Sequence, residues 1–443
     1  MRLPAHRAGL AGVFAAVAVA LAAPSFAQGH AHHSSEGWLG PYAMDREASG
    51  TSWQPESAGM EGPHFTAGRW RVMAHAFAFG IYTDQGSVRG GRQAFSTNMV
   101  ALGAARPLGG GTVAIRGMAS LDPLMGRAGY RHLLQTGESA DGIDHLIDRQ
   151  HPHDLAMEMA AVYSRPLGPG RSVFLYAGWP GEPALGPPAF MHRPSAAANP
   201  TAPLGHHWMD ATHITFGVLT GGLTWGRAKL DASAFNGREP DGKRWDFEAP
   251  RLDSASVRLT VNPSPALSAQ VSAGLLREPE RLHPAIDVRR YTASVSWSGG
   301  PAHARLHATA VWGRNVRSSD LPNCFVSSGC FATAGAIPYP PSRVQDAWLL
   351  EATLHARTRH VLFTRAERVE KDGLFPGIDP FHARVFPVGA LQLGYLYELP
   401  RGGPVGFRAG GAAGLALVPE FIEPDFGGRR SFSYWVLVQA RLR

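Results

Sequence analysis

Strict alternation of apolar and polar residues over stretches of roughly ten residues constrains this chain more than any other feature of its sequence. In 347–357, Trp348, Leu350, Ala352, Leu354 and Ala356 share one face, while Glu351, Thr353, His355 and Arg357 share the other. From Leu267 onward, Leu267, Ala269, Val271, Ala273 and Leu275 oppose Ser268, Gln270 and Ser272. Ala304, Leu306, Ala308, Ala310 and Trp312 likewise oppose Arg305, His307 and Thr309, and Phe432, Tyr434, Val436, Val438, Ala440 and Leu442 oppose Ser433, Gln439 and Arg441. Side chains of a strand alternate between faces, so each stretch makes a strand with one apolar and one polar surface. Strands of soluble sandwiches are shorter, about five or six residues.

Sixteen such segments are expected, from 71–82 to 431–443, and their connections alternate in length. Short turns fall at 107–111, 166–170, 222–224, 263–265, 299–301, 358–359 and 400–403, whereas long links are expected at 122–154, 180–211 and 314–345. The fold class that satisfies both patterns is all-β: one closed antiparallel transmembrane β-barrel of about 16 strands, with short periplasmic turns and long extracellular loops. An even strand count puts both termini in the periplasm and the barrel in the outer membrane of the cell, with Trp348, Leu354, Phe432 and Tyr434 facing lipid and lipopolysaccharide.

The N-terminus fits an exported protein. Arg2 and Arg7 precede an apolar stretch, Leu10 to Ala23, that closes on Pro24-Ser25-Phe26-Ala27, which predicts a secretory leader over 1–27. The stretch is shorter than the roughly 20 apolar residues of a spanning helix. Residues 28–69 are then a short periplasmic segment containing His30, His32 and His33, and 70–443 the barrel. Losing Arg2 and Arg7 lowers the formal charge from +7 to +5. The two cysteines, Cys324 and Cys330, stand in one loop; in an exported chain a disulfide is expected, with a free pair or a soft-metal site as the alternative.

Alternation and loop lengths together resemble the porin-type outer-membrane barrels of Gram-negative bacteria, over nearly the whole mature chain. The resemblance is architectural and transfers no site residue. It departs from that class at the C-terminus, where Arg441-Leu442-Arg443 replaces a terminal aromatic. The stretch 28–69 is too short for the plug domain of a TonB-type receptor.

Chemistry has to be sought on the lumenal face and in the loops. G-x-S-x-G, H-E-x-x-H, P-loop and dinucleotide motifs are absent, so an enzyme is not expected; a rim-located hydrolase would need convergent Ser, His and Asp or paired carboxylates. Alternation points Arg116, Arg227, Lys229, Arg258, Arg290, Arg305, Arg357, Arg408 and Arg441 inward, against Glu158, Asp231 and Glu351. An excess of one sign along a passage favours counter-ions and predicts a channel for small anionic solutes. The competing reading is that these cations pair with loop acids and fill the barrel. Spread over separate strands, they make no nucleic-acid surface.

Histidine is the other signal. The run Asp144-His145-Leu146-Ile147-Asp148-Arg149-Gln150-His151-Pro152-His153-Asp154 lies in one long loop. The next loop carries His192, then His206-His207-Trp208-Met209-Asp210-Ala211-Thr212-His213. Imidazole and carboxylate are ligands for first-row metals, so His145, His151, His153, His206, His207 and His213 are candidate ligands for a transition metal such as Zn or Cu, although the fold requires no cofactor. The alternative is that they hydrogen-bond the loops into a cap or constriction. Two functions follow: a solute channel whose His/Asp-rich loops shape the pore, or a barrel that anchors a metal-binding or partner-binding surface. A lumen blocked by the 122–154 and 180–211 loops would favour the second.

Overall fold

A computed structural model describes residues 36–284, 286–319, 344–400 and 402–442. In chain order its strands are β1 His64–Ala67, β2 Trp70–Gln85, β3 Gly91–Leu108, β4 Gly111–Ala119, β5 Tyr130–Ser139, β6 His145–Gln150, β7 Ala156–Gly168, β8 Arg171–Gly178, β9 Val218–Trp225 and β10 Ala228–Phe235. They continue with β11 Ser254–Ser264, β12 Leu267–Leu276, β13 Ile286–Gly299, β14 Ala304–Ser319, β15 Val344–Ala356, β16 His360–Lys371, β17 Phe386–Glu398, β18 Val405–Leu417 and β19 Arg430–Leu442. Sixteen of these, β2–β4 and β7–β19, pair with their sequence neighbours antiparallel. Pairing of β19 with β2, from Ser433↔Gln85 to Arg441↔Phe77, closes the barrel. The expected strand number and closure are both present. β1 adds a short hairpin to the start of β2, and β5 and β6 pair only with each other.

Closure follows from the period-2 pattern. The outward row Leu306↔Leu354↔Leu362↔Tyr395 crosses four strands, and the inward row Thr309↔Glu351↔Arg365↔Gln392 crosses the same four. Trp348, Phe432 and Tyr434 are exposed, as are Leu350, Val436 and Val438 around them. In water such a band would be untenable; against lipid it is stabilising.

Several boundaries shift by a few residues from expectation. The turn placed at 222–224 is at Gly226-Arg227, where Gly226 takes φ +60°, and Gly222 lies inside β9. Its lack of a side chain serves packing, since a Cβ on Gly222 would stand 2.3 Å from the Phe174 ring. Into the link expected at 314–345, β14 continues to Ser319 and β15 begins at Val344. The leader, His30, His32, His33, Cys324 and Cys330 lie outside the described residues.

Candidate functional site

Two segments of the chain occupy the lumen. The first is 36–62, expected as a periplasmic stretch before the barrel and found instead inside it. Trp38, Leu39, Met44 and Trp53 are buried there, and the wall is shaped to receive them: a Cβ on Gly103 would lie 2.1 Å from the Trp38 ring. Polar wall residues hold its backbone. Ser172 donates to the Leu39 carbonyl at 2.7 Å, Lys229 to that of Thr51, and Asn262 to that of Gln54 at 2.7 Å. Every buried carbonyl must find a donor, so an irregular segment is stable here only because the lumenal face is polar.

The second is the β8–β9 loop, 179–217, whose residues are nearly all buried. The inward row of the fold grips it. Ser195 donates to Glu351 at 3.0 Å and shares a hydrogen bond with the Thr309 hydroxyl at 2.8 Å, Arg365 donates to the Thr201 carbonyl at 2.6 Å, and Asn199 to Gln392 at 2.7 Å. Arg193 lies between Glu351 at 2.6 Å and Asp210 at 2.5 Å. On the other wall Arg258 pairs with Asp231 at 2.8 Å and donates to the Gly186 carbonyl at 3.1 Å.

The β4–β7 loop folds into the β5–β6 hairpin, which crosses the mouth. At one end Phe95 of β3 stacks on Tyr130 with ring centroids 4.5 Å apart; at the other, Lys371 of β16 donates to Gln135. Leu133, Leu134, Leu204, Trp208, Phe375 and Phe426 form an apolar core beneath it with Val311, Leu349 and Val369 of the wall. A cavity of about 160 Å³ remains beside β2–β4, with Glu61, His75, Asp122, His153, His192 and His355 in its lining.

Most of the lumenal positions expected from alternation are engaged. Arg116 meets Glu158 at 3.2 Å and the Gly50 carbonyl at 2.6 Å, Arg290 meets Asn315 at 3.0 Å, Arg305 the Ser57 carbonyl at 2.8 Å, Arg408 meets Glu398 at 2.9 Å, and Arg441 meets Glu61 at 2.8 Å. Two placements need correction. Arg227 and Arg357 sit in short turns, not on the wall, because β10 starts at Ala228 and β15 ends at Ala356. Arg193 and Arg244, which carry much of the network, lie in loops where alternation gives no direction, and Arg365 lies on the inward row of β16 but was not singled out.

The six candidate histidines divide into three groups. His151 and His207 join Glu138, with one donor atom from each within 4.8 Å of the others. His151 Nε2 lies 2.8 Å from Glu138, which also receives Arg244. His207 Nδ1 contacts Glu239 at 3.3 Å, and a Cβ on Gly137 would come within 3.2 Å of its Nε2, so a glycine makes room for the ring. Burial disfavours the charged form of His207, but the Glu239 carboxylate overrides it and raises the pKa; His151 is lowered by burial.

His206, His213 and His153 form a row further in. His206 Nδ1 donates to Asp210 at 2.7 Å, His213 Nδ1 to the Asp210 carbonyl at 2.9 Å, and His153 Nδ1 to Asp122 at 2.8 Å. Holding Nδ1–H this way leaves Nε2 as the basic nitrogen on each ring, the orientation found in metal-ligating histidines. Their centroids are 5.1 Å apart for His206–His213 and 5.4 Å for His153–His213. His145 is separate and meets His283 and His382, neither of which the loop motifs singled out.

No protein-family model and no curated protein matches the chain. Among solved structures it aligns with OmpF of Salmonella typhi in complex with daunomycin at a TM-score of 0.50 and 8% identity, over 85% of this chain and 100% of that one. The fold is that of the porins. The DcaP channel of Acinetobacter baumannii aligns at 0.45 and 10% identity over 86% of this chain and all of its own, and an anion-selective porin from Comamonas acidovorans at 0.43 and 13% over 83% and 100%.

Proposed function

We propose that this porin-type barrel of the Gram-negative outer membrane binds a divalent first-row transition-metal cation, Zn²⁺ or Cu²⁺, at its capped mouth and admits it along the histidine row, with both termini in the periplasm. The observation that carries this reading is the convergence of Glu138, His151 and His207 from two loops, next to the buried His206 and His213 and the half-buried His153, each with Nε2 available. Mixed imidazole and carboxylate donors suit such metals better than Ca²⁺ or Mg²⁺, which take oxygen ligands. The row leads from the mouth toward the cavity that His153 and His192 line.

Passage of small anionic solutes is the second reading, and the wall arginines are its support. It is weaker because those cations face carboxylates of neighbouring strands and carbonyls of the plug, which leaves less free charge to steer an anion.

Calorimetric titration of refolded full-length protein with Zn²⁺ tests the proposal. His151→Ala/His207→Ala is expected to weaken binding by more than about ten-fold, the range that loss of even a supporting residue costs a metal site. Unchanged binding would overturn it. So would a large open-channel conductance in planar bilayers whose reversal potential in a KCl gradient reports anion preference.

A further inference from the structure

The second histidine trio joins loops from opposite sides of the mouth. His145 sits where the β5–β6 hairpin turns back, His283 in the β12–β13 loop and His382 in the β16–β17 loop. One nitrogen of each lies within 4.8 Å of the others, and the Nε2 atoms of His145 and His283 are 3.1 Å apart. Ring centroids stand 5.0 Å apart for His145–His283 and 5.3 Å for His145–His382. Ligands at 2.0–2.1 Å around a tetrahedral ion are separated by about 3.3 Å, so the first pair is already close to that spacing, with a His382 nitrogen within 4.8 Å of both.

The surroundings suit an ion. His382 donates Nδ1–H to the Phe375 carbonyl at 2.7 Å, which sets its tautomer and leaves Nε2 basic. Glu280 lies 3.8 Å from His283 Nε2, in reach as a fourth ligand. Two imidazole nitrogens facing each other at 3.1 Å can share at most one proton; a cation between them engages both lone pairs.

We propose that His145, His283 and His382 form a second site for a divalent transition metal, and that the ion acts as a latch holding the hairpin across the mouth. The hairpin carries Glu138 and roofs the lumen, while the other two loops stand on the wall opposite its base. An ion here adds a direct tie among the three loops, beside the core where Leu133 and Leu134 of the hairpin already pack with Leu374 and Phe375 of the β16–β17 loop. The latch uses none of the residues of the Glu138 centre, so the two stand or fall separately.

Co²⁺ titration of the refolded full-length protein tests this, since its visible absorption reports tetrahedral coordination. The wild type is expected to bind two equivalents at these two trios, and His145→Ala/His382→Ala to lose one. Protease cleavage at the exposed hairpin tip, 141–144, should slow about ten-fold on metal loading in the wild type and in His151→Ala/His207→Ala, but not in His145→Ala/His382→Ala. Heat-modifiable migration on gels confirms that each variant barrel is folded. Two equivalents retained in His145→Ala/His382→Ala, or equal protection of its tip, would overturn the latch. Loss of an equivalent there but not in His151→Ala/His207→Ala would leave the latch standing and remove the first centre.

Discussion

Arg193 shows how the plug is held at the level of one residue. Its guanidinium is buried between Glu351 of the wall and Asp210 of its own loop, with Glu351 also receiving Arg365 at 3.0 Å. Burial alone would raise the Asp210 pKa; Arg193 and His206 hold it well below the carboxylate range. Removing one member of a buried pair costs about 3–5 kcal/mol, since the remaining charge loses its partner without regaining water. Arg193→Ala should therefore release the 179–217 loop while the barrel stays folded, seen as at least a doubling of single-channel conductance and new cleavage within the loop. Arg193→Lys should recover part of the closure, since lysine keeps the charge but not the two-pronged geometry. An Arg193→Ala channel with wild-type conductance would show that other contacts hold the loop.

At the level of elements, fit between strand and plug rests on small residues in the wall. Gly103 in β3 faces Trp38 so closely that no side chain can be added without displacing the ring. Gly103→Ala is expected to move the 36–62 segment, with a red shift and greater quenching of tryptophan fluorescence, and with little loss of barrel stability since the β2–β3 and β3–β4 ladders are untouched. An unshifted spectrum would mean that the segment adjusts in place. The strands themselves were legible in the sequence, because each carries its own two-faced pattern. The β5–β6 hairpin was not: its register slips twice, between Arg131 and Thr136 and again between Gly137 and Ser139, which destroys the alternation.

For the whole molecule, the buried histidines predict a response to pH. Burial lowers His132 and His192 to about 3 and His206 to about 4, so all three are neutral in the packed loops. Once released, such rings titrate near 6.5. Above that value these three rings are neutral in either form and add no pH dependence; His207 and Glu182 of the 179–217 loop, both raised by packing, offset part of their effect. Below that value the released loops take up protons that these packed rings refuse, and their cost to packing grows until about pH 3. In the presence of a chelator, conductance and proteolysis of 179–217 should therefore be higher at pH 5 than at pH 7.5. A flat profile would mean that the loops stay packed with their rings charged.

The sequence by itself determined the barrel: sixteen strands, their direction, and which face of each meets lipid. That was possible because the pattern is local, each strand declaring its two faces within about ten residues. It also pointed to the histidines, since they cluster along the chain. What fills the lumen was decided only in three dimensions. Ser195 meets Glu351, Asn199 meets Gln392 and Thr51 meets Asp231, polar residues whose partners lie more than a hundred positions away. The sorting of the histidines has the same origin. His145 and His283 are 138 residues apart and touch because the closed sheet brings their loops to one mouth, a distance that no periodicity along the chain records.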